Sequence, residues 1–136
     1  MMMKTFKAEL SSLHPMLNWI RDHLKEIGFS DVERRRIEVA LEEGLVNIIS
    51  YAYQGEVGTI DISVKHEEGK FVEIIFKDHG LPFNPLKHKK EIDPLLPIEE
   101  MEIGGFGILF MQKLMDKVEY IRQDDANLLI LIKNLS

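Results

Sequence analysis

Two side chains on one predicted helix have the types and spacing for acid–base and metal chemistry. Glu43 and Asn47 are four residues apart, and residues at this spacing are neighbours on the surface of an α-helix. A carboxylate can accept a proton, and an amide oxygen can ligate Mg²⁺. The pair is therefore a minimal set for phosphoryl transfer, in which positioning and charge neutralisation account for most of the catalysis.

The polar stripe that contains this pair has two interpretations. It consists of Glu43, Asn47, Ser50 and Gln54. These residues fall within a narrow arc of the helical wheel, whereas apolar residues occupy most of the rest. A helix of this kind is mostly buried, so its stripe is either a solvated face or a face that meets a ligand or buried partners. Glu42 is a rival base, but it points about 100° away from Glu43.

A second group of candidate residues follows a predicted strand. Asp78-His79-Gly80 comes directly after an alternating apolar segment. A carboxylate there can accept a hydrogen bond from an amine such as N6 of adenine, and a glycine lets a flat ring approach the backbone. On these residues alone, an ordinary Asp–Gly turn is the alternative.

A glycine-rich motif, Gly104-Gly105-Phe106-Gly107, precedes a predicted helix. Glycines at this place expose backbone N–H groups to an anion, and the start of a helix adds a favourable dipole for phosphate. A flexible hinge is the alternative interpretation. The motif is neither a Walker loop nor a dinucleotide-binding fingerprint, and neither pattern occurs elsewhere in the sequence.

The hydrophobic periodicity predicts which elements position these motifs. The predicted elements are a strand at residues 5–10, a helix ending at Gly28, a helix from the Ser30-Asp31-Val32-Glu33 capping box to about Tyr53, strands at 60–64 and 72–76, a helix after Gly107, and strands at 118–122 and 128–132. The strands cluster in hairpins, so the expected fold class is α+β, a two-layer sandwich with an antiparallel or mixed sheet and helices on one face. Prolines interrupt residues 84–104, which predicts a lid.

Composition restricts the partners and the location. The 136 residues predict one domain, residues 1–136, and a net charge of -6 argues against nucleic-acid binding. The sequence has no cysteine, which excludes disulfides, cysteine-based zinc sites and thiol nucleophiles. No signal peptide and no membrane-spanning stretch is visible. We therefore expect a cytoplasmic protein without a membrane partner.

The motifs together resemble the N, G1 and G2 boxes of the GHKL ATPases, the superfamily of the gyrase, heat-shock chaperone, histidine kinase and mismatch-repair ATPases. The resemblance is carried by residues 43–47 with Ala52-Tyr53, by residues 78–80, and by residues 104–107 with Leu114-Met115-Asp116. Within the superfamily, the short length and the two closing strands are similar to the small anti-sigma factor serine/threonine kinases (RsbW-type).

This resemblance implies a Bergerat ATP-binding fold with ATP and Mg²⁺ as cofactors. It implies that Glu43 is the general base, that Asn47 ligates Mg²⁺ and that Asp78 binds the adenine amine. The implied cofactor-binding residues are Asn47, Asp78, Gly80, Phe83, Gly104, Gly105, Phe106 and Gly107.

The resemblance also implies a function and partners. It implies that the protein regulates bacterial transcription by partner switching: a kinase, expected as a homodimer, that sequesters a sigma factor and phosphorylates a serine or threonine on a STAS-domain antagonist. Two departures motivate alternatives. Ile103 stands where many relatives have arginine, and Ala126-Asn127 stands where many have Gly-Thr. The alternatives are a non-catalytic ATP-binding module that sequesters a partner and a histidine-kinase-like ATPase domain.

Overall fold

The computed structural model describes residues 1–53, 56–87 and 107–135. The strands and α-helices of this part are β1 (Met2–Lys7), α1 (Leu13–Ile27), α2 (Asp31–Tyr51), β2 (Thr59–Glu67), β3 (Phe71–Asp78), α3 (Gly107–Leu114), β4 (Lys117–Gln123) and β5 (Ala126–Asn134). Their order agrees with the order predicted from periodicity. Most of the predicted lid, including Ile103, Gly104, Gly105 and Phe106, lies outside the described residues.

One five-stranded sheet, in the order β1-β2-β3-β5-β4, forms one layer. Every neighbouring pair of strands is antiparallel. Alternate residues of the central strands are buried, as with Ile62 on β2, Phe76 on β3 and Leu129 on β5. Helix α2 lies against this buried face, because a Cβ added to Gly44 would come within 3.4 Å of the Phe76 and Leu129 side chains. The predicted α+β sandwich with helices on one face is confirmed.

Local signals set the bounds of the first two helices. Gly28 ends α1 with a left-handed backbone, φ 98°, which a glycine adopts without steric cost. Ser30 caps α2, because its side chain accepts a hydrogen bond from the Glu33 N–H at 3.2 Å. The structure therefore confirms the predicted end of α1 and the predicted capping box of α2.

The predicted first strand is wrong in its bounds. The structure places β1 at Met2–Lys7, and Leu10 belongs to a 3₁₀ turn, where it is 67% exposed. Ala8 N–H still donates to the Gly58 carbonyl at 2.9 Å, but the chain turns away at Glu9. The apolar alternation of the sequence thus continues beyond the last residue that pairs with β2.

Among the described residues, the helices lack the combination of length and apolar composition that a membrane span requires.

Candidate active site

Glu43 and Asn47 lie one turn apart on α2, and both are half-buried. The Asn47 Nδ2 donates to the Glu43 main-chain carbonyl at 2.7 Å. This bond uses the donor end of the amide, so Oδ1 is the end that remains for a ligand. Oδ1 is the amide atom that can ligate a cation. The Asn47 side chain is therefore oriented as the predicted Mg²⁺ contact requires.

Two features of the Glu43 carboxyl bear on its predicted role as a general base. Burial raises its pKa above the usual value, and the negative charge of Glu42 raises it further. No residue of the described part forms a hydrogen bond or an ion pair with this carboxyl group. A carboxylate with a raised pKa is a better proton acceptor than a solvated one. The rival base, Glu42, is exposed.

Asp78 is buried at the end of β3, with 1% of its surface exposed. Its Oδ1 accepts two hydrogen bonds of 2.9 Å, one from Asn127 Nδ2 and one from Gly80 N–H. Among the described residues, no donor contacts Oδ2. Burial raises the pKa of Asp78, although the hydrogen bonds from Asn127 and Gly80 and the charge of Arg122 oppose that rise. A ligand amine could therefore bind to Oδ2.

Asn127, on β5, is the polar centre of this site. It is the register partner of Asp78, and its Nδ2 also donates to the Leu81 carbonyl at 2.8 Å. Its Oδ1 accepts bonds from Tyr120 OH at 2.5 Å, Arg122 Nη1 at 3.2 Å and Phe83 N–H at 3.3 Å. Because both ends of the amide have partners of the opposite kind, its orientation is fixed. From the sequence, Asn127 is a departure from the relatives that keeps a polar side chain at this position.

Gly80 is required by the approach of its loop to the end of α2. Leu81 N–H donates to the Ala52 carbonyl at 3.0 Å. A Cβ on Gly80 would lie 2.2 Å from the same carbonyl oxygen, which is a severe overlap. The sequence indicated close approach at Gly80 by a ligand, and the structure adds close approach by α2.

Tyr53 fastens the other side of this loop. Its hydroxyl donates to the Thr59 carbonyl at 2.7 Å and accepts from the His79 N–H at 2.7 Å. The residue that follows Asp78 is thereby held against the start of β2. Tyr53, which belongs to the first sequence motif, therefore stabilises the loop that follows Asp78.

Phe83 lies between α2 and β5. Its ring is 5.3 Å from the Tyr51 ring, centroid to centroid, and its N–H reaches Asn127. The structure thus brings Phe83 together with Asp78 and Gly80. Of the predicted glycine motif, Gly107 is the first residue of α3.

Helix α3 packs beside the predicted base. The sulfur of Met111 would be 3.4 Å from a Cβ on Gly44, the residue next to Glu43. Helix α3 therefore packs against α2 at the level of Gly44.

The described residues contain no cluster of three or more His, Asp or Glu that could hold a metal ion by itself. Mg²⁺ in phosphoryl-transfer sites is commonly bound by one or two protein oxygens together with substrate phosphates. Asn47 Oδ1 fits such a site as the protein ligand. The buried Asp78 carboxylate fits the amine of a purine base. The residues present therefore fit Mg²⁺ and ATP at both ends of the site.

An antiparallel sheet covered by helices, with a buried acid at the end of its central strand, is the organisation of a known ATPase class. Residues 6–133 match the histidine kinase-like ATPase domain, and the chain belongs to this family. It is 30% identical over 112 residues to the serine-protein kinase RsbW of Halalkalibacterium halodurans, which covers 80% of this chain and 67% of that protein. It is 34% identical over 101 residues to the serine-protein kinase RsbW of Oceanobacillus iheyensis, covering 71% of this chain and 63% of that protein.

A solved structure agrees with this assignment of the fold. The mycobacterial sensor histidine kinase MprB is similar with a TM-score of 0.55 over 96% of this chain and 97% of that chain, at 10% identity. The matched segment spans about two thirds of the length of the curated relatives. The comparisons confirm the predicted family and the predicted enzyme class, the ATP-dependent protein serine/threonine kinases.

Proposed function

We propose that the protein is an ATP- and Mg²⁺-dependent serine/threonine kinase that acts on a partner protein as an anti-sigma factor. The observation that carries the proposal is the arrangement on α2. Glu43 has a raised pKa, and Asn47, one turn away, keeps its Oδ1 for a cation. These are the base and the metal contact that phosphoryl transfer to a hydroxyl requires.

The residues at the ends of β3 and β5 bind the base of the nucleotide. Asp78 Oδ2 accepts a hydrogen bond from the adenine amine, and Asn127 keeps the carboxylate in place through Oδ1. Gly80 and Phe83 line the same pocket. When bound, Mg²⁺ and ATP supply the phosphoryl group and the positive charge that neutralises it.

Glu43 removes the proton of the acceptor hydroxyl. Because its pKa is raised, the pKa of Glu43 lies closer to the working pH than that of a solvated glutamate, which favours proton transfer in the transition state. The Asn47 side chain is held beside Glu43, because its Nδ2 donates to the main-chain carbonyl of Glu43. The remaining predicted contacts, Gly104, Gly105, Phe106 and Gly107, would supply backbone donors to phosphate.

The proposed partners are a sigma factor, which the kinase sequesters, and a STAS-domain antagonist, which it phosphorylates. The support is the resemblance of the sequence motifs to anti-sigma factor kinases and the similarity to proteins named serine-protein kinase RsbW. A homodimer in the cytoplasm is part of the same proposal.

The test is phosphotransfer from labelled Mg-ATP to STAS-domain proteins of the source organism at pH 8. We expect Glu43→Gln to lower the rate by about 100-fold or more and to leave ATP affinity unchanged, because only the proton acceptor is lost. Glu42→Gln is the matched control, since it makes the same change at the adjacent, exposed residue, and it should keep the rate. Normal transfer by Glu43→Gln would contradict the assignment of the base.

A second candidate function is a non-catalytic ATP-binding module that sequesters its partner. The observation that favours it is Asn127, which occupies the place of the usual threonine and whose amide is already bonded to the protein at both ends. This function predicts sigma-factor binding with no phosphotransfer by the wild type. Product chemistry separates the histidine-kinase alternative, because phosphohistidine is labile in acid and phosphoserine is stable.

A further inference from the structure

A cleft between α1 and α2 carries positive charge although the protein as a whole is acidic. The cavity has a volume of about 350 Å³ and is lined by Arg21, Lys25, Asp31, Arg34, Arg35 and Glu38. We call this set of six residues the basic cleft. Four cations face two carboxylates here, whereas the whole chain has a net charge of -6. The charge of the cleft is therefore opposite to that of the protein.

Two of the four cations are paired within the cleft. Arg21 bonds to Glu38 and thereby connects α1 to α2, and Arg34 bonds to Asp31 one turn earlier on α2. Within the described part of the chain, Lys25 and Arg35 form no ion pair, and both are exposed. The two carboxylates are thus already used, and Lys25 and Arg35 remain for an anionic group from outside.

Arg34 forms a rigid wall of the cleft. Its side chain is only 18% exposed, and its Nε is a buried donor without a partner among the described residues. An unsatisfied buried donor carries a free-energy cost, so this guanidinium is held in place despite that cost. A preorganised cation of this kind favours binding, because little side-chain entropy is lost when a ligand arrives.

Exposed apolar side chains border the cations on α2. Val32 and Val39 are 58% and 46% exposed. They are seven residues apart and hence on the same face of the helix, and Arg35 and Arg36 lie one turn from each of them. A purely solvated face does not need valines at this spacing. Valines beside cations are suited to a partner that offers both apolar groups and carboxylates.

We propose that the basic cleft, together with Val32 and Val39, is a docking surface for an acidic segment of a partner protein. Carboxylates of that segment pair with Lys25 and Arg35, and its apolar side chains cover the two valines. The surface is separate from the nucleotide site, since Arg35 and Asn47 are twelve residues, or about 18 Å, apart along α2. The inference does not depend on phosphotransfer.

The test uses a labelled 20-residue peptide in which glutamate and leucine repeat at helical spacing. Fluorescence anisotropy with the full chain should show binding that weakens about 10-fold or more between low salt and 0.3 M salt. Replacing all glutamates by glutamine, or all leucines by serine, should weaken binding about 10-fold or more, because each removes one of the two complementary features. In NMR spectra, the backbone amide chemical shifts that change on peptide binding should be concentrated in residues 21–39.

Charge reversal identifies the surface. Lys25→Glu with Arg35→Glu should weaken peptide binding about 10-fold or more. Lys7→Glu with Lys65→Glu is the matched control, because both lysines are exposed on the sheet and the change in net charge is the same. Circular dichroism and ATP binding confirm that each variant is folded.

Several outcomes would overturn the proposal. They are the absence of binding at millimolar peptide, equal weakening by the two double variants, or equal binding of the serine-substituted peptide. Competition by inorganic phosphate or by a DNA duplex at the same concentration as the peptide would also overturn it. Competition by phosphate would assign the cleft to small anions, and competition by the duplex would assign it to nucleic acid.

Discussion

Asn127 Nδ2 lies 2.9 Å from Asp78 Oδ1, across the pair of residues that joins the end of β3 to the start of β5. A neutral amide thus holds a buried acid whose other oxygen has no partner among the described residues. The amide in turn is fixed by Tyr120 and Arg122. This arrangement keeps the acid ready to accept a hydrogen bond from a ligand.

Removing the amide should weaken both the fold and the site. We expect Asn127→Leu to lower the free energy of unfolding by about 2–4 kcal/mol, because Asp78, Tyr120 and the Leu81 carbonyl lose their partner in a buried place. ATP affinity should fall about 10-fold or more, since one anchor of Asp78 is lost. Chemical unfolding and calorimetry measure the two effects.

The control for this substitution is on the same strand. Asn134 is exposed at the far end of β5, so Asn134→Leu should change stability by less than about 0.5 kcal/mol. If Asn127→Leu behaved like Asn134→Leu, the bonds of the amide would have no energetic importance.

Neutralising the buried acid should separate stability from binding. Asp78→Asn keeps an oxygen for Asn127 and Gly80 but places an amide donor where Oδ2 was. The new amide NH₂ and the adenine NH₂ would then face each other as two donors, so we expect ATP affinity to fall about 100-fold or more. Calorimetry tests this loss.

The same variant predicts a pH dependence with a definite sign. Burial raises the pKa of Asp78 above the unfolded value of 3.8, so the folded state binds the proton more tightly than the unfolded state. The stability contributed by wild-type Asp78 is therefore greatest at low pH and decreases as the pH rises from the unfolded-state pKa through the higher folded-state pKa. We expect the melting temperature of Asp78→Asn, relative to wild type, to increase from pH 4 to pH 7. A constant difference across this range would contradict the raised pKa.

The proposed base predicts the acid limb of the rate profile. The pKa of Glu43 is raised by burial and then by Glu42, so kcat/KM for the acceptor protein should begin to fall at a higher pH than for a solvated glutamate. Glu42→Gln removes the neighbouring charge and should move this limb to lower pH without changing the plateau. An acid limb that stays in place would show that Glu42 does not act on the base.

Two glycines should respond differently to alanine. Gly80→Ala places a Cβ 2.2 Å from the Ala52 carbonyl, so the backbone must move, at a cost of about 2–4 kcal/mol. Gly69 has φ 74° but open space around it, so Gly69→Ala should cost only about 1 kcal/mol. ATP affinity should fall for Gly80→Ala and stay unchanged for Gly69→Ala. Equal losses of stability would mean that the loop after β3 does not need its close approach to α2.

Periodicity and capping were sufficient to predict the elements, because these signals are local. Gly28 and Ser30 mark helix bounds through their own backbone and side-chain chemistry. The first strand was misplaced, since Ala8 and Leu10 continue the alternation after the chain has left the sheet. Glu43 and Asn47 were placed correctly on one face of α2, because helical spacing alone determines it.

The centre of the site required the tertiary structure. The register that opposes Asn127 to Asp78 depends on how β5 packs in the sheet, and no local pattern encodes it. The contacts of Tyr120 and Arg122 with Asn127 follow from the β4–β5 hairpin. The roles of Gly104, Gly105 and Phe106 stay predictions.

The bond between Asp78 and Asn127 also has a consequence for the order of folding. It connects residues 49 positions apart in the chain, and closing so long a loop carries an entropic cost that is recovered only when β5 joins the sheet. The hairpin of β2 and β3 can form earlier, from local contacts. During synthesis, therefore, the growing chain gains its affinity for the adenine ring only after β5 has docked. ATP would then stabilise the completed sheet selectively and leave every earlier folding intermediate unaffected.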